Sequence, residues 1–177
     1  MRILGIDQGI ASLGYCILEI KDKKKEILEY GELKTYPDEW EDNMCERIRD
    51  IVHMLFELVK EFEPNRICCE KLFFSGPRKG GRNKSASIVS TNIASGLIMY
   101  VCGEMEIQFR DYSPLSVKNR ITGSGKADKK QVREAVIKLY PELDGKELKH
   151  SSEHMIDAVA IATTSYIIDG AEIEEEI

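Results

Sequence analysis

Two apolar runs in this chain end on a carboxylate: Ile3-Leu4-Gly5-Ile6 stops at Asp7, and Ile67-Cys68-Cys69 stops at Glu70. Packing gives no reason for that, because a desolvated carboxylate is costly unless a cation answers it. Acids at the ends of two neighbouring strands point to a pocket for a divalent cation, with the Lewis-acid and water-activating chemistry such an ion brings. Gly9 follows closely enough on Asp7 to turn the chain and leave that side chain uncovered. A second constellation lies far along the chain. His154 and Asp157 are three residues apart, so on a helix they project from one face, and Glu153, four before Asp157, can share it. The Ala-Val-Ala-Ile-Ala run after Asp157 is apolar enough to pack deep against a sheet, and Ser151-Ser152-Glu153 offers capping oxygens at the start. Taken alone, a histidine at a helix start is more often a surface or capping residue; Asp157, at the mouth of an apolar helix, is the better ligand of the two.

These residues need a scaffold that brings strand ends and one helix together. Residues 2–7 read as a short buried strand, followed by strands over 13–20 and 27–35 joined by a charged turn, an antiparallel meander. Residues 41–62 carry Ile48, Ile51, Val52, Leu55, Leu58, Val59 and Phe62 on one stripe of period 3.6, which predicts a long amphipathic helix. Pro64 and Asn65 end it, and a strand over 66–70 returns parallel to the first, bringing Glu70 near Asp7. The segment 75–85 (SGPRKGGRNKS) is Gly-rich and basic, and 85–102 predicts a helix dense in small residues, suited to close packing or an interface. A last strand over 107–112, short helices over 114–120 and 128–140, and a final helix over 152–168 complete the pattern, with an acidic tail, 171–177, expected to fray.

The composition, 42% hydrophobic and 32% charged over 177 residues, is that of a globular α/β chain with a single domain spanning 1–177. Five cysteines without a C-x-x-C pair read as reduced, mostly buried thiols, and no signal-like or membrane-spanning run is present, so the expected location is cytoplasmic. The formal charge of −6 argues against a nucleic-acid partner until its distribution is considered. From Arg66 to Arg133 there are thirteen Lys and Arg against five Asp and Glu, a local excess of +8 that can present a polyanion-binding face on an acidic protein.

Asp7 on a first strand, Glu70 on a fourth and His154-x-x-Asp157 on a final helix resemble the RuvC family of Holliday-junction resolvases, which have an RNase H-like fold. The stretches GIDQGIASLGYCIL, CCEKLFF, SPLSVKNRITGSGKADKKQV and HMIDAVAIA carry the likeness, in the family's order and over most of the chain. The resemblance implies a mixed five-stranded sheet flanked by helices, and a metal-dependent, structure-specific DNA endonuclease. It would resolve four-way junctions, and other branched DNA, by paired symmetric cuts leaving 5′-phosphate and 3′-hydroxyl ends. Asp7, Glu70, His154 and Asp157 would hold the metal, two Mg²⁺ per site with Mn²⁺ able to substitute. Many members carry Asp where this chain has His154, a residue better suited to Mn²⁺ than to Mg²⁺. Lys129 would support the transition state. Phe73 and Phe74, Arg78, Lys79, Arg82 and Lys84, with Lys118, Arg120, Lys126 and Lys130, would contact DNA. Paired cuts imply a homodimer, with the small-residue helix as part of its interface, and no membrane partner.

Three other readings share parts of the pattern. A same-fold nuclease acting on structured RNA would keep the first acid and the last helix but has no need of the basic segment after Glu70. A non-catalytic junction-binding module would require the acids to be structural. An actin-like phosphotransferase also opens on Asp-x-Gly, but needs a second nucleotide-binding half for which this chain is too short.

Overall fold

A computed structural model describes residues 1–37, 43–71, 84–144 and 153–174. Five strands, β1 (Arg2–Asp7), β2 (Ser12–Lys21), β3 (Lys24–Lys34), β4 (Arg66–Glu70) and β5 (Gln108–Tyr112), form one sheet in the order β3-β2-β1-β4-β5. β1, β2 and β3 pair antiparallel, while β1 and β4, and β4 and β5, pair parallel, giving a mixed sheet. The hairpin between β2 and β3 turns on Asp22 and Lys23, both with positive φ, the two-residue geometry that matches strand twist.

Both faces of the central strands are covered, which is why they read as nearly unbroken apolar runs. On one face Leu4, Ile6, Ile17, Ile67 and Cys69 pack against α1 (Met44–Phe62) and α2 (Lys84–Glu104), through Ile51, Leu55, Ile98 and Val101. The alternate residues Ile3, Cys16, Leu18 and Cys68 meet α5 (Glu153–Glu174), with α3 (Pro114–Thr122) and α4 (Lys129–Leu139) beside it. A single 3₁₀ turn, Pro141–Leu143, follows α4. Burial pushes the Cys69 thiol up to about 12 and that of Cys102 up to about 11, so both stay protonated at neutral pH. Among the described residues no helix is long and apolar enough to cross a membrane.

Two expectations change. The final helix does not stop near 168; α5 continues through Glu174. Asp169 is buried and paired with Arg66, which ties the helix down just before its composition turns acidic, and Ala and Glu are good helix formers. Arg66, counted in the basic middle, is only 2% exposed and faces the interior, so it cannot serve a polyanion.

Candidate active site

The strand register brings the two acids together. β1 and β4 pair up to Ile6 and Cys69, so the next residues, Asp7 and Glu70, end adjacent parallel strands. Glu70 is two residues on from Cys68 and Asp7 four on from Ile3, both in the core beneath α5, so both point to the α5 face. Asp7 also sits opposite Gly14 on β2. A Cβ at Gly14 would lie well inside contact distance of the His154 carbonyl, and one at Gly5 would strike the Ala158 carbonyl. These two glycines let the backbone of α5 rest directly on the sheet, and so hold His154 and Asp157 over the strand ends.

That close approach gives a prediction. In Gly14→Ala the new methyl meets backbone, which cannot swing aside, so α5 lifts from β2 and His154 loses Asp7. The expected cost is about 1–3 kcal/mol, as for other overpacked sites. Thermal melting checks it; a variant with the wild-type melting temperature would refute the close packing.

Within the site, His154 Nδ1 and Asp7 Oδ2 are hydrogen-bonded at 2.5 Å, and that bond holds the imidazole above its ordinary range. Burial, with the Asp7 and Asp157 carboxylates close by, pushes Glu70 up to about 7, against the opposing pull of Lys118 and Lys129. Burial and Asp7 likewise push Asp157 up to about 6, opposed by Lys129 and His154. Glu32, across the sheet from Gly14 and bonded to Ser12, adds its charge to the field at His154. Lys129 opens α4 just after Asp128, whose capping box with Gln131 starts that helix, and its ammonium pairs with Glu153 at the start of α5.

The donor set suits a divalent cation: three carboxylates and an imidazole converge, and two of the carboxylates are held partly protonated at neutral pH by mutual repulsion and burial. As they stand, with Asp7 engaged by His154, no three His, Cys, Asp or Glu side chains among the described residues close into a coordination cluster. A cation would relieve the repulsion that keeps the carboxylates protonated, and neighbouring lysines would face the phosphate oxygens of a polyanion.

The raised values carry a stability consequence. A carboxyl whose folded value is raised contributes its stability in full below about pH 4, a raised imidazole below about pH 6.5, and each loses it as pH rises through its own folded value. Glu70, Asp157 and His154 all act in this direction, so the metal-free protein is expected to melt at lower temperature as pH rises from about 5 to about 8. Glu70→Gln removes one contributor and flattens the slope; identical slopes for variant and wild type would contradict the coupling.

The remaining expected residues fall into three groups. Lys118 on α3 and Lys129 on α4 reach the field of the acids. Arg120, Lys126 and Lys130 are exposed on the adjoining surface, Lys130 paired with Glu134 at 3.8 Å. Phe73, Phe74, Arg78, Lys79 and Arg82 lie outside the described residues, as does the side chain of Lys84, which opens α2. Sequence reading passed over Gln8, Gly14 and Glu32. A polar residue between Asp7 and Gly9 was the available signal for the first; the other two require the sheet register.

Comparison with known proteins adds an independent line. Residues 3–165 match the family described as crossover junction endodeoxyribonuclease RuvC. A protein of that name from Prochlorococcus marinus strain MIT 9312 is 39% identical over 137 residues, 77% of this chain and 80% of the relative. Its counterpart from strain AS9601 is 36% identical over 170 residues, 96% of this chain and 99% of the relative. The solved structure of Thermus thermophilus RuvC in complex with a Holliday junction substrate superposes with a TM-score of 0.78, at 28% identity over 96% of each chain.

Proposed function

Because the chain belongs to the crossover junction endodeoxyribonuclease RuvC family, we propose that it resolves Holliday junctions, and cuts other branched DNA, at the site built by Asp7, Glu70, His154 and Asp157. The observation that carries this reading is the cluster of carboxylates at the ends of β1, β4 and the start of α5, two of them raised by burial and by the Asp7 charge, within the field of Lys118 and Lys129. Asp7, Glu70 and Asp157 would hold the divalent cations, two Mg²⁺ with Mn²⁺ able to substitute. His154 would complete the set; with Nδ1 spent on Asp7, Nε2 is the nitrogen left to meet a cation or a water. When bound, the cations supply Lewis-acid stabilisation of the attacking and leaving oxygens of an in-line displacement. Lys129 exchanges Glu153 for a phosphate oxygen and stabilises charge developing on phosphorus. The products carry 5′-phosphate and 3′-hydroxyl ends.

Lys118, Arg120, Lys126 and Lys130 line the approach to these acids, and Phe73, Phe74, Arg78, Lys79, Arg82 and Lys84 supply further DNA contacts. Phe73 stacks on bases at the open junction centre, a contact worth about 1–3 kcal/mol per base. Two symmetric cuts require two sites, which a homodimer provides. The face of α2 that bears Val89, Met99 and Tyr100, about half exposed, with Gly96 and Gly103 opening onto free space, supports an interface there.

The test is cleavage of mobile four-way junctions, Y-forks, linear duplex and structured RNA, with Mg²⁺, with Mn²⁺ and with chelator, alongside the solution mass. Metal-dependent paired nicks in junctions by a dimer are expected. Cleavage of RNA in preference to junctions, or metal-dependent binding without cleavage, would overturn the reading, and a monomer at micromolar concentration would overturn the dimer.

A further inference from the structure

Gln8 follows Asp7 where β1 ends, and it is buried. Its Nε2 donates to the Glu70 carbonyl at 2.6 Å, and its Oε1 accepts from the Glu70 N–H at 3.2 Å. The β1–β4 register ends at Ile6 and Cys69, one residue short of Glu70. The Gln8 amide therefore continues the ladder as a side-chain rung, serving both peptide groups of a single residue. A glutamine is suited to this. Its amide carries a donor and an acceptor, and it adds no charge to a cluster that already holds three carboxylates. Asparagine is one methylene shorter, and glutamate lacks the donor and adds an anion.

The rung fixes the main chain of Glu70 against the strand end that carries Asp7. Any drift of that backbone would pass to the Glu70 oxygens and change their distance from those of Asp7. We propose that Gln8 is a positioning residue that sets the spacing of the Asp7 and Glu70 carboxylates and thereby the cation affinity of the site. This rests on the metal-dependent reading above. Gln8 acts through Glu70 and touches no reacting group.

The test is a Mn²⁺ binding isotherm on the full chain, followed by the paramagnetic signal of the free ion, with thermal melting and metal-free junction affinity measured in parallel. Gln8→Met keeps the length and apolar stem and removes the amide. It is expected to bind Mn²⁺ roughly 10–100-fold more weakly, as for other residues that orient metal ligands, with junction affinity unchanged. The metal concentration needed for half-maximal cleavage is expected to rise by the same factor. A purely structural role would lower the melting temperature and leave the isotherm of the folded protein where it was, and that result would overturn the proposal. Should Gln8→Met not fold, Gln8→Asn is read by the same isotherm, since its shorter amide cannot span both peptide groups. A wild-type chain that binds no Mn²⁺ would overturn this proposal and the metal-dependent reading together. Equal binding by wild type and Gln8→Met would overturn the role of Gln8 alone.

Discussion

Replacing Asp7 by Asn is expected to abolish junction cleavage and leave junction binding intact. The two side chains have nearly the same shape, and the Asn oxygen can still accept from His154 Nδ1, so the fold is preserved. The negative charge is lost. Burial raises Glu70 and Asp157, and the Asp7 charge adds to it, so the variant leaves those two freer to ionise while removing the charge bonded to His154. Two acids on separate elements would then face a cation without the third. Changes to groups that merely orient metal ligands already cost about 10–100-fold. Loss of a proposed ligand itself is expected to exceed about 10³-fold, roughly 4 kcal/mol of transition-state stabilisation. Binding is driven by basic side chains and phosphates, and removing an anion beside a phosphate path holds affinity level or raises it. Single-turnover cleavage and a gel-shift titration, on protein prepared free of wild-type nuclease, separate the two effects. Cleavage within about tenfold of wild type would remove Asp7 from the site.

The largest effect on stability is expected at Arg66. Its guanidinium, 2% exposed at the first residue of β4, donates to Gln108 at 2.6 Å, Ser165 at 3.2 Å and Asp169 at 3.0 Å. Asp169 also accepts from the Tyr112 hydroxyl and lies 3.8 Å from Arg110. One network thus joins β4, β5 and α5, the first and last of which carry Glu70 and Asp157. Arg66→Met leaves Asp169 buried without its closest cation, a situation that costs about 3–5 kcal/mol. For a chain of this size each kcal/mol lowers the melting temperature by roughly 2–4 °C. Adding Asp169→Asn removes the stranded charge while keeping an acceptor for Tyr112, so the double variant is expected to recover much of the loss. Denaturant unfolding of the two single variants and the double closes the cycle; additive losses would mean that the two residues do not act as a pair.

Much of this arrangement is legible in the chain itself. Asp7 and Glu70 stand out because apolar runs end on them, and the long amphipathic stretch before Glu70 requires a crossover that places β4 beside β1. His154 and Asp157 are tied together by helical spacing alone. What does not show is whatever depends on register or on how far one backbone stands from another. Gly14 reads as an ordinary strand glycine until α5 is laid against it. Glu32 reads as a solvent-facing acid of a meander until the pairing through Gly14 puts it in the field of His154. Arg66 adds to a basic middle in a count of charges, yet it is spent on Asp169, some hundred residues away. The helical end at Glu174 was hidden for the same reason, since composition reports the acidity of the tail and not the anchor before it.

The helix that completes the site lies on β1 and β2, although it follows every strand in the chain. Its contacts with them therefore close loops of well over a hundred residues, the class of pairing that forms late because chain entropy must be overcome first. During synthesis Asp7 emerges early and waits for residues 153–157. Until they arrive, the sheet presents acids without their histidine. A chain cut short before residue 153 is therefore expected to keep the carboxylates of β1 and β4 and to lack the hydrolytic activity proposed for the assembled site.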